Sequence, residues 1–153
     1  MLRALPDFEG LLSWTPVNDV AATLGDLLLA DHPPYPIYHI DNPVRQLWRD
    51  MIRVFADGLD IPRRNVIPFE EWIKRVRNFP GSMELDNPAA KLIEFLDSNF
   101  IRMSCGGLLL DTVKSREHSK TLSEVGPVSE DVAKKYIEAW KEMGFLHRRL
   151  FVD

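Results

Sequence analysis

Two side chains in this sequence are suited to nucleophilic or proton-transfer chemistry, Cys105 and His39. A cysteine thiolate attacks carbon when a histidine takes its proton, and such partners meet in space rather than at a fixed spacing. Cys105 is the single cysteine and stands in Met103-Ser-Cys-Gly-Gly-Leu108, a setting that equally suits a small buried hydrophobe. His39 lies between Tyr38 and Ile40, with Asp41 close by. It reads either as a ring satisfied by a backbone carbonyl or as an acid, base or hydrogen-bond donor aimed into a pocket. His32, His118 and His147 form no helical pair with one another or with His39, so a closed zinc site would need scattered ligands. No metal is expected.

Nucleotide-dependent redox chemistry lacks its usual parts. A Gly-x-Gly-x-x-Gly turn brings backbone close to a pyrophosphate at a helix N-terminus, but no two of the eight glycines stand two apart, and there is no P-loop. A reductase tyrosine is assisted by a lysine four residues on, whereas Tyr35, Tyr38 and Tyr136 are followed there by His39, Asn42 and Trp140. No cofactor is expected. Apolar binding remains open, because Trp14, Trp48, Trp72 and Trp140 come from four separate segments and can serve as core or as cavity walls. Tyr38, Trp48, Trp72, Met103 and Trp140 are the candidate substrate-binding side chains.

These residues need elements to position them. The most unusual stretch is 100–122, where Gly106 and Gly107 allow close backbone approach and Leu108 to Leu110 follow as core plug or pocket wall. Thr15 and Pro16 predict a helix start, with Val17, Val20, Ala21, Leu24, Leu27 and Leu28 inward as far as about Ala30. Residues 36–41 read as a strand. Val44, Leu47, Trp48, Met51, Ile52 and Phe55 form the stripe of an amphipathic helix ending near Gly58. At most a very short strand fits between Ile61 and Pro68. A second helix covers 69–78, with Trp72, Ile73 and Val76 inward.

After a loop over 79–86, Asn87-Pro88 predicts a helix with Leu92, Ile93, Leu96 and Phe100 inward. Asp111-Thr112 predicts the cap of a short helix, and Ser129 caps a last one carrying Val132, Tyr136, Ala139, Trp140 and Met143, stopped by Gly144. Five helices and one or two strands make a mainly helical α+β chain, a single domain over 1–153.

Composition narrows the setting. The chain of 153 residues is 45% hydrophobic and 27% charged, ordinary globular material. A net charge of −4 argues against non-specific nucleic-acid binding. One cysteine permits no internal disulfide, and there is neither a signal-type leader nor an apolar run of membrane-spanning length, so a cytoplasmic setting without membrane attachment is expected.

Several motifs in order then carry a resemblance: Trp14-Thr-Pro-Val-Asn-Asp-Val-Ala21, Tyr38-His-Ile-Asp-Asn-Pro43, Ile67-Pro-Phe-Glu-Glu-Trp-Ile73, Asn87-Pro-Ala-Ala-Lys91 and Met103 to Leu108 with Asp111-Thr112. From about Leu5 to Phe145 the chain resembles the carboxy-terminal part of terminal thioester reductase domains. These are extended short-chain dehydrogenases/reductases of fungal-type polyketide and peptide synthetases and of carboxylic-acid reductases. The resemblance implies the substrate-covering subdomain without its nucleotide-binding sheet. NADPH and the Ser/Thr-Tyr-Lys residues belong to the other half, and no position here matches the catalytic tyrosine or lysine.

Two accounts follow. A chain starting at Met1 with caps and stops in place reads as self-standing, and would bind a hydrophobic biosynthetic intermediate and promote its cyclisation or isomerisation, in the manner of a pericyclase or Diels–Alderase. His39 and Cys105 would be its polar contacts. Alternatively the chain is the substrate-binding fragment of an NADPH-dependent thioester reductase, or a non-catalytic interaction module whose bare apolar face would drive homodimerisation.

Overall fold

The computed structural model describes residues 2–31, 33, 35–79, 88–144 and 146. Strand β1 (Leu5–Asp7) pairs in parallel with β4 (Val66–Pro68), setting Leu5 opposite Val66 and Asp7 opposite Pro68. Strand β2 (Leu11–Leu12) pairs antiparallel with β3 (Gln46–Leu47), with Leu11 opposite Leu47. Ladders this short need packing to hold them. The helices supply it: α1 (Val17–Leu28), α2 (Trp48–Gly58), α3 (Phe69–Arg77), α4 (Ile93–Ser98), α5 (Phe100–Ser104), α6 (Val113–His118), α7 (Lys120–Glu124) and α8 (Glu130–Glu142). None of them is long and apolar enough to cross a membrane.

The core forms where the apolar stripe of α2 meets α8. Trp48, Met51, Ile52, Val54 and Phe55 pack with Leu12, Val128, Ala133 and Ile137, all buried. Aromatic rings extend this core toward α3 and α5. Phe8 stacks flat on Trp48, centroids 5.1 Å apart, and meets Phe69 and Phe100 edge-on at 5.9 and 5.5 Å. Each such pair contributes about 0.5–1.5 kcal/mol beyond burial. The indole N–H of Trp48 donates to the Pro6 carbonyl (2.9 Å) and that of Trp72 to the Ala4 carbonyl (3.2 Å), so both rings hold the β1 segment in place.

Two side-chain amides join distant loops. Asn42, fully buried, donates through Nδ2 to the carbonyls of Trp14 and Gly126 and accepts from the Val44 N–H through Oδ1. Gln46 donates to the Val128 carbonyl at 2.9 Å and accepts from the Val128 N–H at 2.8 Å, imitating a backbone ladder. The Gly106-Gly107 pair makes a tight turn. Gly106 has φ +92°, and a Cβ on Gly107 would lie 2.3 Å from the Arg102 carbonyl oxygen.

Several sequence expectations change. Helix α1 starts at Val17 with Pro16 at its N-cap and no side-chain cap from Thr15, and it ends at Leu28. Residues 36–41 are irregular, because Tyr35 N–H donates to the Tyr38 hydroxyl and the His39 ring bonds the Asp111 carbonyl, so these groups pair locally instead of in a ladder. Helix α2 begins only at Trp48, since Gln46 and Leu47 are drawn into pairing with β2. The single helix expected from Asn87 is a 3-10 turn (Pro88–Leu92) followed by α4 and α5, with Leu92 exposed; Asn87 and the loop over 80–86 lie outside the described residues. Helix α7 was not expected at all. Leu108, Leu109 and Leu110 do not plug the core: they are 58%, 55% and 43% exposed.

Candidate functional site

His39 is placed by the irregular segment that crosses to the start of α6. Its Nδ1 lies 2.9 Å from the Asp111 carbonyl oxygen. A carbonyl only accepts, so Nδ1 carries a proton and Nε2 is the ring nitrogen left facing away from this bond. The ring is exposed. The Asp111 side chain also accepts from the Val113 N–H at 2.9 Å at the start of α6, whose N-cap is Thr112 with no side-chain cap of its own. Beside it Tyr38 meets His118 edge-on at 5.8 Å, and the Lys114 ammonium sits 5.5 Å from the Tyr35 ring while pairing with Glu117 at 2.8 Å. That hydrogen bond raises the Lys114 pKa and lowers that of Glu117, each to the benefit of the charged form.

Cys105 is buried beneath Gly10, whose added Cβ would come within 2.6 Å of the Cys105 Cβ. Burial pushes the thiol pKa up, so the sulfur stays protonated near neutrality. Its side chain makes no hydrogen bond to His39. Among the described residues, then, Cys105 and His39 are not joined as a thiol–imidazole pair. Trp48 and Trp72 are committed to packing and to the β1 carbonyls, Met103 is exposed, and Trp140 lies against Tyr136 with ring centroids 6.3 Å apart. Of the seven side chains singled out from the sequence, Tyr38 and His39 stand on the irregular segment, Met103 and Cys105 flank Ser104 before the Gly106-Gly107 turn, Trp48 and Trp140 pack in the α2/α8 core, and Trp72 lies on α3 against Phe69.

A groove of about 290 Å³ opens elsewhere, between the first turn of α1 and one face of α8. Pro16, Val17, Asn18, Val132, Lys135, Tyr136 and Ala139 line it. The sequence placed Val17 on the apolar stripe of the first helix and Val132, Tyr136 and Ala139 on the last helix. Val17 and Tyr136 are in fact exposed, because α1 packs instead on α7 and α8 packs on α2, which leaves the two apolar edges facing across open space. The signal that could have marked the site is an apolar residue straight after Pro16, at a helix end that no side chain caps. Asp26, on the far turn of α1, accepts from the Ser119 hydroxyl (2.7 Å) and the Thr121 N–H (3.0 Å), and these bonds lower its pKa and tie α1 to α7. Among the described residues no three His, Cys, Asp or Glu side chains converge as metal ligands.

No family model matches the sequence. The chain is 80% identical over 146 residues to the non-reducing polyketide synthase pigA of Monascus ruber, a match covering 95% of this chain and 5% of that protein. It is 67% identical over 147 residues to the non-reducing polyketide synthase pks11 of Talaromyces marneffei, covering 96% of this chain and 6% of the relative. It is 61% identical over 145 residues to the citrinin polyketide synthase of Monascus ruber, covering 95% and 6%. The chain thus spans about a twentieth of the length of these curated relatives and is similar to one short stretch of fungal polyketide synthases.

Proposed function

We propose that this chain is the substrate-side portion of a thioester-reductase-type release unit in polyketide biosynthesis, a branch of secondary metabolism, acting in the cytoplasm. Another polypeptide segment supplies the nucleotide and the hydride-transfer residues. One arrangement carries the reading. Met103, Leu108, Leu109, Leu110 and Val113 stay exposed, while Trp48 and Cys105, which could have walled a private chamber, are buried in packing. An apolar run left bare is a surface suited to a second body. The match to a stretch of much longer synthases supports the same setting.

In this reading the other segment would hold NADPH, which would supply hydride to the thioester carbon, the C–S bond breaking to leave an aldehyde and a thiol that takes its proton from solvent. The present residues orient the acyl chain and exclude water, a contribution of proximity rather than of proton transfer. The test mixes the chain with the roughly 250 residues that precede the matching stretch in the pigA synthase, about one large domain. Co-elution, with NADPH-dependent reduction of a thioester only in the mixture, is expected. Saturable NADPH binding by this chain alone, or no association, would overturn it.

A second reading, cofactor-independent cyclisation or isomerisation of a hydrophobic intermediate, is favoured by the groove between α1 and α8, which could hold a chain in a reactive shape. Turnover of an acyclic polyketide by this chain without NADPH decides for it. Loss of that turnover in His39→Ala would give the imidazole the proton-transfer role.

A further inference from the structure

Resting on the reductase-portion reading, we infer that the α1/α8 groove binds the keto-bearing acyl chain of a polyketide intermediate in its flat, enolised form. Lys135 holds an enolate oxygen and the Tyr136 ring lies along the conjugated carbons. The groove is open and its volume, about 290 Å³, falls at the small end of ligand sites, which suits a short stretch of chain rather than a whole folded product. Its walls are apolar on both sides, with Val17 from α1 facing Val132 and Ala139 from α8. Polar groups enter only from Asn18, Lys135 and Tyr136.

Charge decides the class of occupant. On the same helix Lys134 pairs with Glu130 at 3.3 Å and Lys141 reaches Asp60 at 4.0 Å, but Lys135 has no carboxylate within ion-pair distance among the described residues. An ammonium on an apolar groove favours a ligand that brings an anionic oxygen on a greasy frame. A chain assembled without reduction keeps carbonyls on alternate carbons, and such β-dicarbonyls enolise readily, becoming planar and acidic. Planarity matches the exposed Tyr136 face, which is backed by Trp140. A saturated acyl chain would fill the same walls and leave Lys135 unused.

The test is a ¹H–¹⁵N NMR titration of the intact chain with benzoylacetone, a flat enolising β-diketone, and with benzylacetone, a monoketone of similar size. Benzoylacetone is expected to shift amides at 17–18 and 132–139 and to bind about threefold more tightly than benzylacetone, as one exposed charge-assisted contact allows. Lys135→Met should abolish that preference, and Val17→Trp, at a side chain 64% exposed, should block both ligands. Ala139→Met serves as a second blocking variant should Val17→Trp lower the melting temperature. Shifts confined to other surfaces, binding that survives both blocking variants, or a preference that persists in Lys135→Met would overturn the assignment. Should the two-segment assembly reduce its thioester while benzoylacetone leaves the groove unperturbed, the groove assignment falls and the reductase reading stands. Should benzoylacetone bind as described while no second segment associates, the groove assignment stands and the reductase reading falls.

Discussion

Replacing Asn42 with alanine removes three hydrogen bonds at once from a side chain that is 0% exposed: Nδ2 to the Trp14 carbonyl and to the Gly126 carbonyl, both 2.9 Å, and Oδ1 from the Val44 N–H at 2.8 Å. Each bond contributes about 1 kcal/mol net, so Asn42→Ala should cost about 3 kcal/mol. For a chain of this length that corresponds to a fall in melting temperature of about 6–12 °C. The geometry also sets the sign of a subtler change. Asn42→Asp keeps the shape and the bond from Val44, yet presents a carboxylate oxygen to two carbonyl oxygens that need donors. It should therefore cost at least as much as alanine. Urea unfolding followed by tryptophan fluorescence measures both, with an unchanged denaturant slope expected if the unfolded surface is the same. A loss under about 1 kcal/mol for Asn42→Ala, or an aspartate variant more stable than the alanine one, would refute the claim that this amide joins the segments ending at Trp14 and Gly126.

Other perturbations separate backbone geometry, burial and charge. Gly107→Ala should destabilise the chain by about 3 kcal/mol, because the new methyl would lie 2.3 Å from a backbone oxygen, whereas Gly25→Ala, with nothing within 4 Å in the middle of α1, should stabilise it by up to about 1 kcal/mol; both are read by denaturant midpoints. Cys105 should react with a thiol reagent at pH 7.5 at least about tenfold more slowly in the native chain than in urea, since burial disfavours the thiolate. The hydrogen bonds from Ser119 and Thr121 depress the Asp26 pKa in the folded chain, so their stabilisation is present above the ordinary carboxylate value of about 4 and is lost as pH falls through the lower folded value. Melting curves taken downward from pH 5 should show that loss, and Asp26→Asn should flatten it.

What was legible in the sequence was what depends on near neighbours. The stripe of α2, the face of α3 carrying Ile73 and Val76, and the Ser129 cap, whose side chain accepts from the Val132 N–H, follow from spacing within one or two turns. What failed depends on distant partners. Gln46 and Leu47 fit the helical stripe, but pairing with Leu11 and Leu12 takes them into a strand. Tyr38 and Ile40 alternate like a strand, but no ladder receives them. One apolar period ran through 88–100, yet the chain breaks at Asn99, whose φ of −127° lies outside the helical range.

The site was less legible for a reason visible in its tryptophans. An indole looks the same in sequence whether it packs a core or walls a cavity. What separates the roles is whether its N–H finds a backbone acceptor, and for Trp48 and Trp72 those acceptors are Pro6 and Ala4, far off along the chain. Once β1 is held by these two indoles, they are tied to the β1 segment, and the apolar surface that remains is set by which helices lack a neighbour. Met103, Leu108 to Leu110 and Val113 are bare on either side of the Gly106-Gly107 turn, and the α1 and α8 edges face one another without meeting. The first surface suits a second polypeptide and the second a small chain. Any sequence change that freed the Trp48 indole from Pro6 should therefore loosen β1 directly, and it would reach the groove only through the shared core, where Trp48 packs with Ala133 and Ile137 of α8 and Val132 rests against them.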